Sequence, residues 1–137
     1  MSDLWTRWTQ AIADELPAAV ELRHAVHADP RGSGDEEDTA RLVSAALDAG
    51  DGTRVAKTGR AVLLPGTSDG PAVALRAELD ALPVLEGTGV PWASGNELMH
   101  ACGHDVHLAA LVAVFRAARR VGVPRPLLAL LQPREET

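Results

Sequence analysis

The sequence predicts an α/β fold in which a mixed, largely parallel sheet is flanked by helices. Segments with helical periodicity alternate with short apolar runs along the 137 residues, an order typical of α/β proteins. Two of these runs, AVALRAEL (72–79) and PLLALLQP (126–133), are typical of buried strands. The hydrophobic fraction is 46% and the aromatic fraction 3%, which indicates a globular chain with a core of Ala, Val and Leu.

The first predicted helix covers residues 4–27. An apolar residue recurs at every fourth position from Trp8 to Val20 and would form a stripe along one face. Pro17 interrupts this pattern, because proline inside a helix removes a hydrogen bond and clashes with the preceding turn. We therefore expect a kink or two shorter helices. Surface or structural roles are expected for His24 and His27, and core or partner contacts for Trp5 and Trp8.

A second helix is predicted over ARLVSAALDAG (40–50). Ser33 and Glu36 precede it with the spacing of a capping box, in which each side chain accepts a hydrogen bond from the main chain of the other residue. Gly50 is typical of the residue that follows a helix end. The sequence thus predicts a local role for both Ser33 and Glu36.

The middle of the chain is predicted to contain two strands and a long loop. TRVAKT (53–58) and AVLLPG (61–66) have strand composition and are expected to meet at a turn at Gly59. The segment 83–97 is rich in Gly and Pro and shows no period, which is typical of a binding loop. The last helix is predicted over 105–122, with an acid at its start and two arginines at its end.

Composition and charge exclude several classes of partner. The net charge is −6 and the pI is about 5.3, which disfavours nucleic-acid and anionic-membrane surfaces. The chain has one cysteine, which excludes an internal disulfide framework and suits a reducing compartment. The start of the sequence lacks the basic residues and apolar run of a signal peptide, and no apolar stretch has the length of a membrane span. We expect a cytoplasmic protein.

The segment MHACGHDVH (99–107) concentrates metal-binding side chains. It holds the only cysteine and three of the five histidines. Thiolate and imidazole groups are ligands expected for zinc or a similar divalent transition metal. Cys102 and His104 are separated only by Gly103, and glycine permits the unusual backbone of a tight turn. The spacing indicates that both side chains can reach one metal ion.

Carboxylates follow the carboxyl ends of two predicted strands. Asp80 comes after one strand, and Glu135 and Glu136 come after the last. Ligand sites in open α/β sheets lie beyond the carboxyl ends of the strands, so these residues are expected to meet Cys102 and His104. One glutamate can bind metal while the other takes a proton from water, which is the logic of metal-assisted hydrolysis. Asp80 suits a ligand or a group that orients an imidazole.

The residues alone leave two other interpretations open. Cys102 can be a buried cysteine at a helix entrance, with the histidines exposed on a polar loop. It can also be a catalytic nucleophile, with His100 or His104 as its base, although no oxyanion-binding device is evident. Substrate contact, ligand orientation or simple packing all remain possible for His100, His107 and Trp92.

Four segments together carry a family resemblance. LRAELDALPVLEGTGVPWASGNELMHACGHDVHLA (75–109), followed by LLQPREE (130–136), resembles the zinc-peptidase-like amidohydrolases. That family includes hippurate hydrolase, N-acyl-amino-acid amidohydrolases and indole-acetyl-amino-acid hydrolases. ELRHAVHADP (21–30) and KTGRAVLLPG (57–66) extend the resemblance over nearly the whole chain. Three ordered motifs at suitable separations are more specific than any single motif.

The resemblance implies a role for each residue that matches a family motif. Cys102, His104 and Glu136 match metal ligands, Glu135 matches the general base, and Asp80 matches an aspartate that supports the centre. The family's centre holds two divalent metal ions, and Zn, Mn, Ni and Co all suit such ligands. Family members hydrolyse the amide of a small-molecule N-acyl amino acid or similar conjugate with metal-activated water. A full-length form is expected to be a homodimer.

The sequence also departs from the family pattern. Glu78 stands where the family usually has an aspartate, and Arg134 where it usually has a small residue. Residues 1–137 match only an N-terminal portion of the family's catalytic domain, without its further histidine ligands or its lid or dimerisation domain. The alternative to an amidohydrolase is therefore a catalytically silent fragment or pseudo-enzyme that binds a metal or a partner weakly, and we expect the isolated chain to be inactive.

Overall fold

A computed structural model of the protein describes residues 2–137. Three helices and four strands follow one another in an order that confirms the predicted α/β class. The elements are α1 (Ser2–Ala28), α2 (Glu37–Leu47), β1 (Thr53–Val55), β2 (Gly59–Leu64), β3 (Val73–Glu78), α3 (His104–Val121) and β4 (Leu127–Gln132).

The four strands form a single mixed sheet in the order β1-β2-β4-β3. Only β3 and β4 are parallel, whereas β2 runs antiparallel to both β1 and β4. The mixed sheet with flanking helices is as predicted, but the expectation that parallel pairing prevails is wrong for the part of the chain that the structure describes. β1 and β2 form a hairpin, and strands joined by a short turn must be antiparallel. β2 is also antiparallel to β4, so β3 and β4 are the one parallel pair among the described strands.

The core lies between the sheet and the helices. Leu108, Leu111 and Phe115 of α3 are buried against inward-facing residues of the strands, such as Val62 and Leu131. α1 lies along α3, and small alanines, among them Ala19, Ala109 and Ala113, form a separate buried cluster where the two helices meet. This packing fixes the start of α3, from which the candidate ligand His104 projects.

Three local predictions about the helices are corrected. α1 is one continuous helix through Pro17, which excludes the alternative of two shorter helices. The start of α2 shows no capping box, because the side chains of Ser33 and Glu36 bind distant parts of the chain instead. α2 ends at Leu47 with Asp48 in the left-handed conformation, so the helix stops short of Gly50.

The first hairpin turns earlier than predicted. Ala56 and Lys57 have positive φ angles of 46° and 74°, an arrangement that favours Asn and Gly and that the Ala-Lys sequence does not reveal. Gly59 is instead the first residue of β2. A Cβ atom at Gly59 would lie 2.8 Å from the carbonyl oxygen of Leu131, so close strand approach explains this glycine.

The parallel pair brings the candidate residues to one edge of the sheet. β3 and β4 end in register at Glu78 and Gln132, and the chain then continues to Asp80 in one case and to Glu135 in the other. Residues 83–97 contain neither helix nor strand, as predicted. In the described part of the chain, no helix has both the length and the apolar character needed to cross a membrane.

Candidate metal centre

The turn before α3 places Cys102 and His104 as predicted. Gly103 is the N-cap residue of α3 and has a φ of 86°, in the left-handed region where glycine is favoured. Cys102 is exposed and His104 is 4% exposed. The structure therefore reverses the interpretation of a buried cysteine with exposed histidines, because the thiol faces the surface while His100 and His104 are buried.

One hydrogen bond fixes the tautomer of His104. Its Nδ1 lies 2.8 Å from the main-chain carbonyl oxygen of Asp80. A carbonyl oxygen can only accept, so Nδ1 carries the proton and Nε2 presents a lone pair in the neutral ring. Metal-binding histidines are commonly oriented by this kind of bond from the other ring nitrogen.

Three donor atoms gather around the free side of His104. One ligand atom each from Cys102, His104 and Glu136 lies within 4.8 Å of the other two. His104 Nε2 is 3.7 Å from Glu136 Oε1, close to the separation of about 3.5 Å between ligands of a tetrahedral zinc ion. Among the described residues, Glu136 Oε1 is buried with no hydrogen-bond partner. Buried carboxylate oxygens normally accept a hydrogen bond from the protein, whereas an oxygen that binds a metal ion does not need one. The donor set therefore fits a divalent metal ion.

Glu135 lies beside this cluster but outside it. Its Oε2 is 3.5 Å from His104 Nε2, and its side chain is 39% exposed, whereas that of Glu136 is 18% exposed. The carboxylate therefore borders the donor atoms and faces solvent. That position suits a group that exchanges protons with water more than a permanent ligand.

Asp80 supports the cluster without contributing a donor atom to it. The side chain is fully buried and accepts hydrogen bonds from the Ser33 hydroxyl at 2.6 Å and from the main-chain N–H groups of Glu135 and Glu136 at 3.1 and 2.9 Å. Burial acts to raise the pKa of Asp80, but these bonds, that of Ser33 foremost, outweigh it and lower the pKa below its usual value. One residue thus holds both the imidazole, through its carbonyl, and the glutamate loop.

The two departures from the family pattern have defined surroundings. Glu78 accepts a hydrogen bond at 2.8 Å from His107 Nδ1 and pairs with Arg76. Burial acts to raise the pKa of Glu78. The hydrogen bond from His107 is the strongest of several interactions that outweigh burial and lower the pKa below its usual value. Arg134 is exposed and has a φ of 56°, so the loop turns sharply just before the glutamates.

Thiol catalysis finds no support in this geometry. Carboxylates surround Cys102, and the neighbouring Glu136 is the main cause that raises the pKa of the thiol. A nucleophilic cysteine needs the opposite shift. Burial lowers the pKa of His100 to about 4, and neither of its ring nitrogens has a hydrogen-bond partner in residues 2–137. His104 Nε2 lies 3.5 Å from Glu135 and 3.7 Å from Glu136, and residues 2–137 show no hydrogen bond between the Cys102 thiol and either candidate base.

A buried polar network beside the cluster was not predicted from the sequence. His27 Nδ1 lies 2.8 Å from Asp105 Oδ2, and His27 Nε2 lies 3.1 Å from both carboxylate oxygens of Glu86. Arg23 donates to the same Asp105 oxygen. Arg23 and His27 are four residues apart and so share one face of α1, which was the available sequence signal. The network joins α1, the irregular segment and the start of α3.

Glu86 anchors the irregular segment to this network. Its side chain is 1% exposed and accepts hydrogen bonds from the Ser94 N–H and the Thr88 hydroxyl. The Ser94 bond, followed by that of Thr88, lowers the pKa of Glu86 to about 2. In the same segment, Trp92 stacks on His24 at a centroid distance of 3.8 Å. The segment borders a cleft of about 350 Å³ lined by Trp92, Met99, His100 and Cys102 among others.

Comparison with known proteins identifies the family. Residues 74–137, which contain all five predicted site residues, match the model of peptidase family M20/M25/M40. The chain belongs to the M20 peptidase family. N-acetyl-L-cysteine deacetylase of Bacillus subtilis is 40% identical to this M20 chain over 121 residues, which are 84% of the chain and 29% of that protein. The putative amidohydrolase YhaA of the same organism is 46% identical over 99 residues, 69% of the chain and 25% of that protein.

Solved structures give the same assignment. The B. subtilis YxeP protein, a dinuclear metal-binding peptidase of the M20 family, superposes with a TM-score of 0.82 and 30% identity over 90% of this chain and 37% of that one. A putative aminohydrolase of methicillin-resistant Staphylococcus aureus superposes with a TM-score of 0.83 and 29% identity over 96% and 37%, respectively. The M20 chain therefore spans about a third of the length of these relatives.

Proposed function

We propose that this M20 chain contributes part of the ligand set of the divalent metal centre in an amidohydrolase that cleaves the amide bond of N-acyl amino acids. The observation that carries the proposal is the convergence of Cys102, His104 and Glu136, with a lone pair of His104 Nε2 and an unpartnered oxygen of Glu136 on the same side. Relatives named as deacetylases of N-acetyl amino acids support the substrate class.

Bound divalent cations supply Lewis acidity, which polarises a carbonyl group and acidifies water. Cys102, His104 and Glu136 would hold the metal, and a second ion, as in the YxeP protein, would need donors beyond these three. The identity of the metal is open among Zn, Mn, Ni and Co, because all four accept sulfur, nitrogen and oxygen donors.

Glu135 is the proposed general base. Its exposed carboxylate accepts a proton from the attacking water, which forms a bond to the amide carbonyl carbon. The same carboxylate then donates that proton to the amide nitrogen as the C–N bond breaks. The products are a carboxylic acid, which loses its remaining proton to solvent, and the amine of the amino acid, and no covalent bond to the protein forms. Asp80 keeps the Glu135 main chain in place during both transfers.

The alternative is a chain that binds metal weakly and catalyses nothing. Three protein donors are the usual number for catalytic zinc, yet they must lie in a preorganised set, and the described residues cover about a third of the relatives' length. We propose no nucleic-acid or membrane partner, given the net charge of −6, and a reducing compartment such as the cytoplasm, given an exposed free thiol. A homodimer is proposed only for a longer form.

Cobalt titration of the 137-residue chain, followed by an amine-release assay with N-acetyl amino acids, tests the proposal. We expect a thiolate-to-cobalt charge-transfer band that Cys102→Ser abolishes. We expect Glu135→Gln to keep this band, and to remove any hydrolysis that the metal-loaded chain shows. A band without hydrolysis favours the non-catalytic alternative for this length of chain. Absence of the band in the unmodified chain would contradict the proposed metal centre.

A further inference from the structure

Glu36 is the N-cap residue of α2, but its fully buried carboxylate makes no capping hydrogen bond to the helix. Its Oε1 accepts hydrogen bonds from the N–H of Gly34 at 2.7 Å and from the N–H of Arg134 at 2.9 Å. Its Oε2 accepts a hydrogen bond from the Thr58 hydroxyl at 2.7 Å. These partners come from three separate parts of the sequence, so Glu36 joins the loop before α2, the β1–β2 turn and the loop after β4.

The bond to Arg134 extends the contacts made by Asp80. Glu36 accepts from the N–H of Arg134, and Asp80 accepts from those of Glu135 and Glu136. Ser33, three residues before Glu36, binds the Asp80 carboxylate. The two buried carboxylates therefore bind every main-chain N–H along the stretch that carries the candidate base and ligand.

This stretch needs such support because its backbone is strained. Arg134 has a φ of 56°, a left-handed conformation that is unfavourable for a residue other than glycine. Without an acceptor for its N–H, Arg134 would relax toward an ordinary conformation. The side chains that follow would then change direction, and Glu136 would leave Cys102 and His104.

We propose that Glu36 is a positioning residue of the metal centre. Together with Asp80 it fixes the main chain from Arg134 to Glu136, and thereby sets where the Glu135 and Glu136 carboxylates lie relative to His104. The inference rests on the proposed function, because it assigns Glu36 a purpose in metal binding. A purely structural role would instead affect folding without any coupling to Glu136.

Four variants separate these roles. Glu36→Ala removes all the bonds. Glu36→Gln keeps an oxygen for Gly34 and Arg134, while its amide can donate to the Thr58 hydroxyl, which is able to accept. Glu36→Asp keeps the charge but shortens the side chain by one methylene, so it loses the reach to Arg134. Thr58→Val is the matched control, because it removes a partly buried hydrogen bond to Glu36 and leaves the Arg134 bond intact.

Cobalt titration monitored by the Cys102 charge-transfer band gives the main readout. We expect Glu36→Ala to weaken affinity about tenfold or more, the range for residues that orient metal ligands, while Glu36→Gln and Thr58→Val stay within about threefold. In a Glu136→Ala background, Glu36→Ala should change affinity less than about twofold, because the group it positions is gone. If Glu36→Ala does not fold, Glu36→Asp takes its place in the same cycle.

Two results would overturn the inference. One is a cobalt affinity of both Glu36→Ala and Glu36→Asp within about twofold of that of the unmodified chain. The other is a loss of cobalt affinity on Glu36→Ala that is equally large in the Glu136→Ala background. Amide hydrogen exchange of the metal-free chain gives an independent readout, so a failure of cobalt binding alone does not decide it. We expect Glu36→Ala to speed exchange at Glu135 and Glu136 about tenfold or more, although their direct acceptor, Asp80, is unchanged. Unchanged exchange there would contradict the positioning role even if cobalt does not bind.

Discussion

The two ends of the parallel pair β3 and β4 differ in chemistry. At the carboxyl ends lie buried polar groups that are tightly hydrogen-bonded, such as Asp80, Glu36 and His104. At the amino ends lies an apolar groove of about 330 Å³, lined by residues that include Trp5, Trp8, Val73 and Leu127. The proposed metal centre lies at the polar end, although the apolar groove is comparable in volume to the cleft beside Cys102.

The amino-end groove lacks the preorganisation of the other end. Trp5 is 62% exposed and Val73 is 55% exposed, so these side chains have wide freedom. Trp5 contacts Trp8 edge to face at 6.2 Å, and of the two roles expected for Trp5, core or partner contact, its exposure excludes the core. Fixed polar groups at one end and exposed apolar groups at the other predict that substitutions at the carboxyl ends will change metal affinity, whereas substitutions in the amino-end groove will not.

Cys102→Ala should give the largest effect on metal binding. Removal of one of three protein donors is expected to lower cobalt affinity about a hundredfold or more. Cys102 is exposed, so the free energy of unfolding of the metal-free chain should change by about 0.5 kcal/mol or less. Cobalt titration and urea denaturation measure the two quantities. Comparable affinity in Cys102→Ala would place the metal elsewhere.

Asp80→Asn should combine loss of stability with loss of metal affinity. The carboxylate of Asp80 accepts hydrogen bonds from two main-chain N–H groups, whereas the NH2 group of asparagine cannot accept. The groups left unsatisfied in the interior should lower the free energy of unfolding by about 2 to 3 kcal/mol. We also expect cobalt affinity to fall, because Glu136 would lose an acceptor for its main chain. Denaturation by urea at neutral pH checks the first effect. A stability within about 0.5 kcal/mol of the parent would contradict the role given to Asp80.

Local patterns predicted most elements but misread residues whose partners are distant in sequence. The helices, the strands, the irregular segment and the Cys102–Gly103–His104 turn follow from short-range signals. Ser33 and Glu36 have capping-box spacing, yet the partner of Ser33 lies 47 residues away, and Glu36 binds residues 22 and 98 positions away besides its neighbour Gly34. A capping box cannot be distinguished from long-range hydrogen bonds by spacing alone, since the same side chains serve both.

The candidate site was predictable as a set of residues but not as an arrangement. A thiol and an imidazole in one turn, together with carboxylates beyond the carboxyl ends of two strands, are sequence features that indicate the donor set. The different exposure of Glu135 and Glu136 could not be derived from two adjacent glutamates, and only the family resemblance distinguished their proposed roles. The network around His27 was missed because its members come from three separate elements.

Acid should loosen the irregular segment before the core. The folded-state pKa of Glu86 is about 2, below its ordinary value of 4.5, so its stabilising effect is complete above about pH 4.5 and is lost as pH falls toward 2. Glu86→Gln should flatten this part of the stability profile. Glu97→Gln is the matched control, since Glu97 is an exposed carboxylate of the same segment. Tryptophan fluorescence during acid titration, with contributions from Trp92, is the measurement, and identical profiles for the two variants would refute the assignment.

Trp5→Ala, in the amino-end groove, should produce the smallest change in stability and in cobalt affinity. Because Trp5 is mostly exposed, we expect a change of about 0.5 kcal/mol or less in the free energy of unfolding. Cobalt affinity should stay within about twofold, because the amino-end groove shares no lining residue with the cleft beside Cys102. A loss of affinity in Trp5→Ala would mean that the two ends of the sheet are coupled, most directly through α1, which carries both Trp5 and His27.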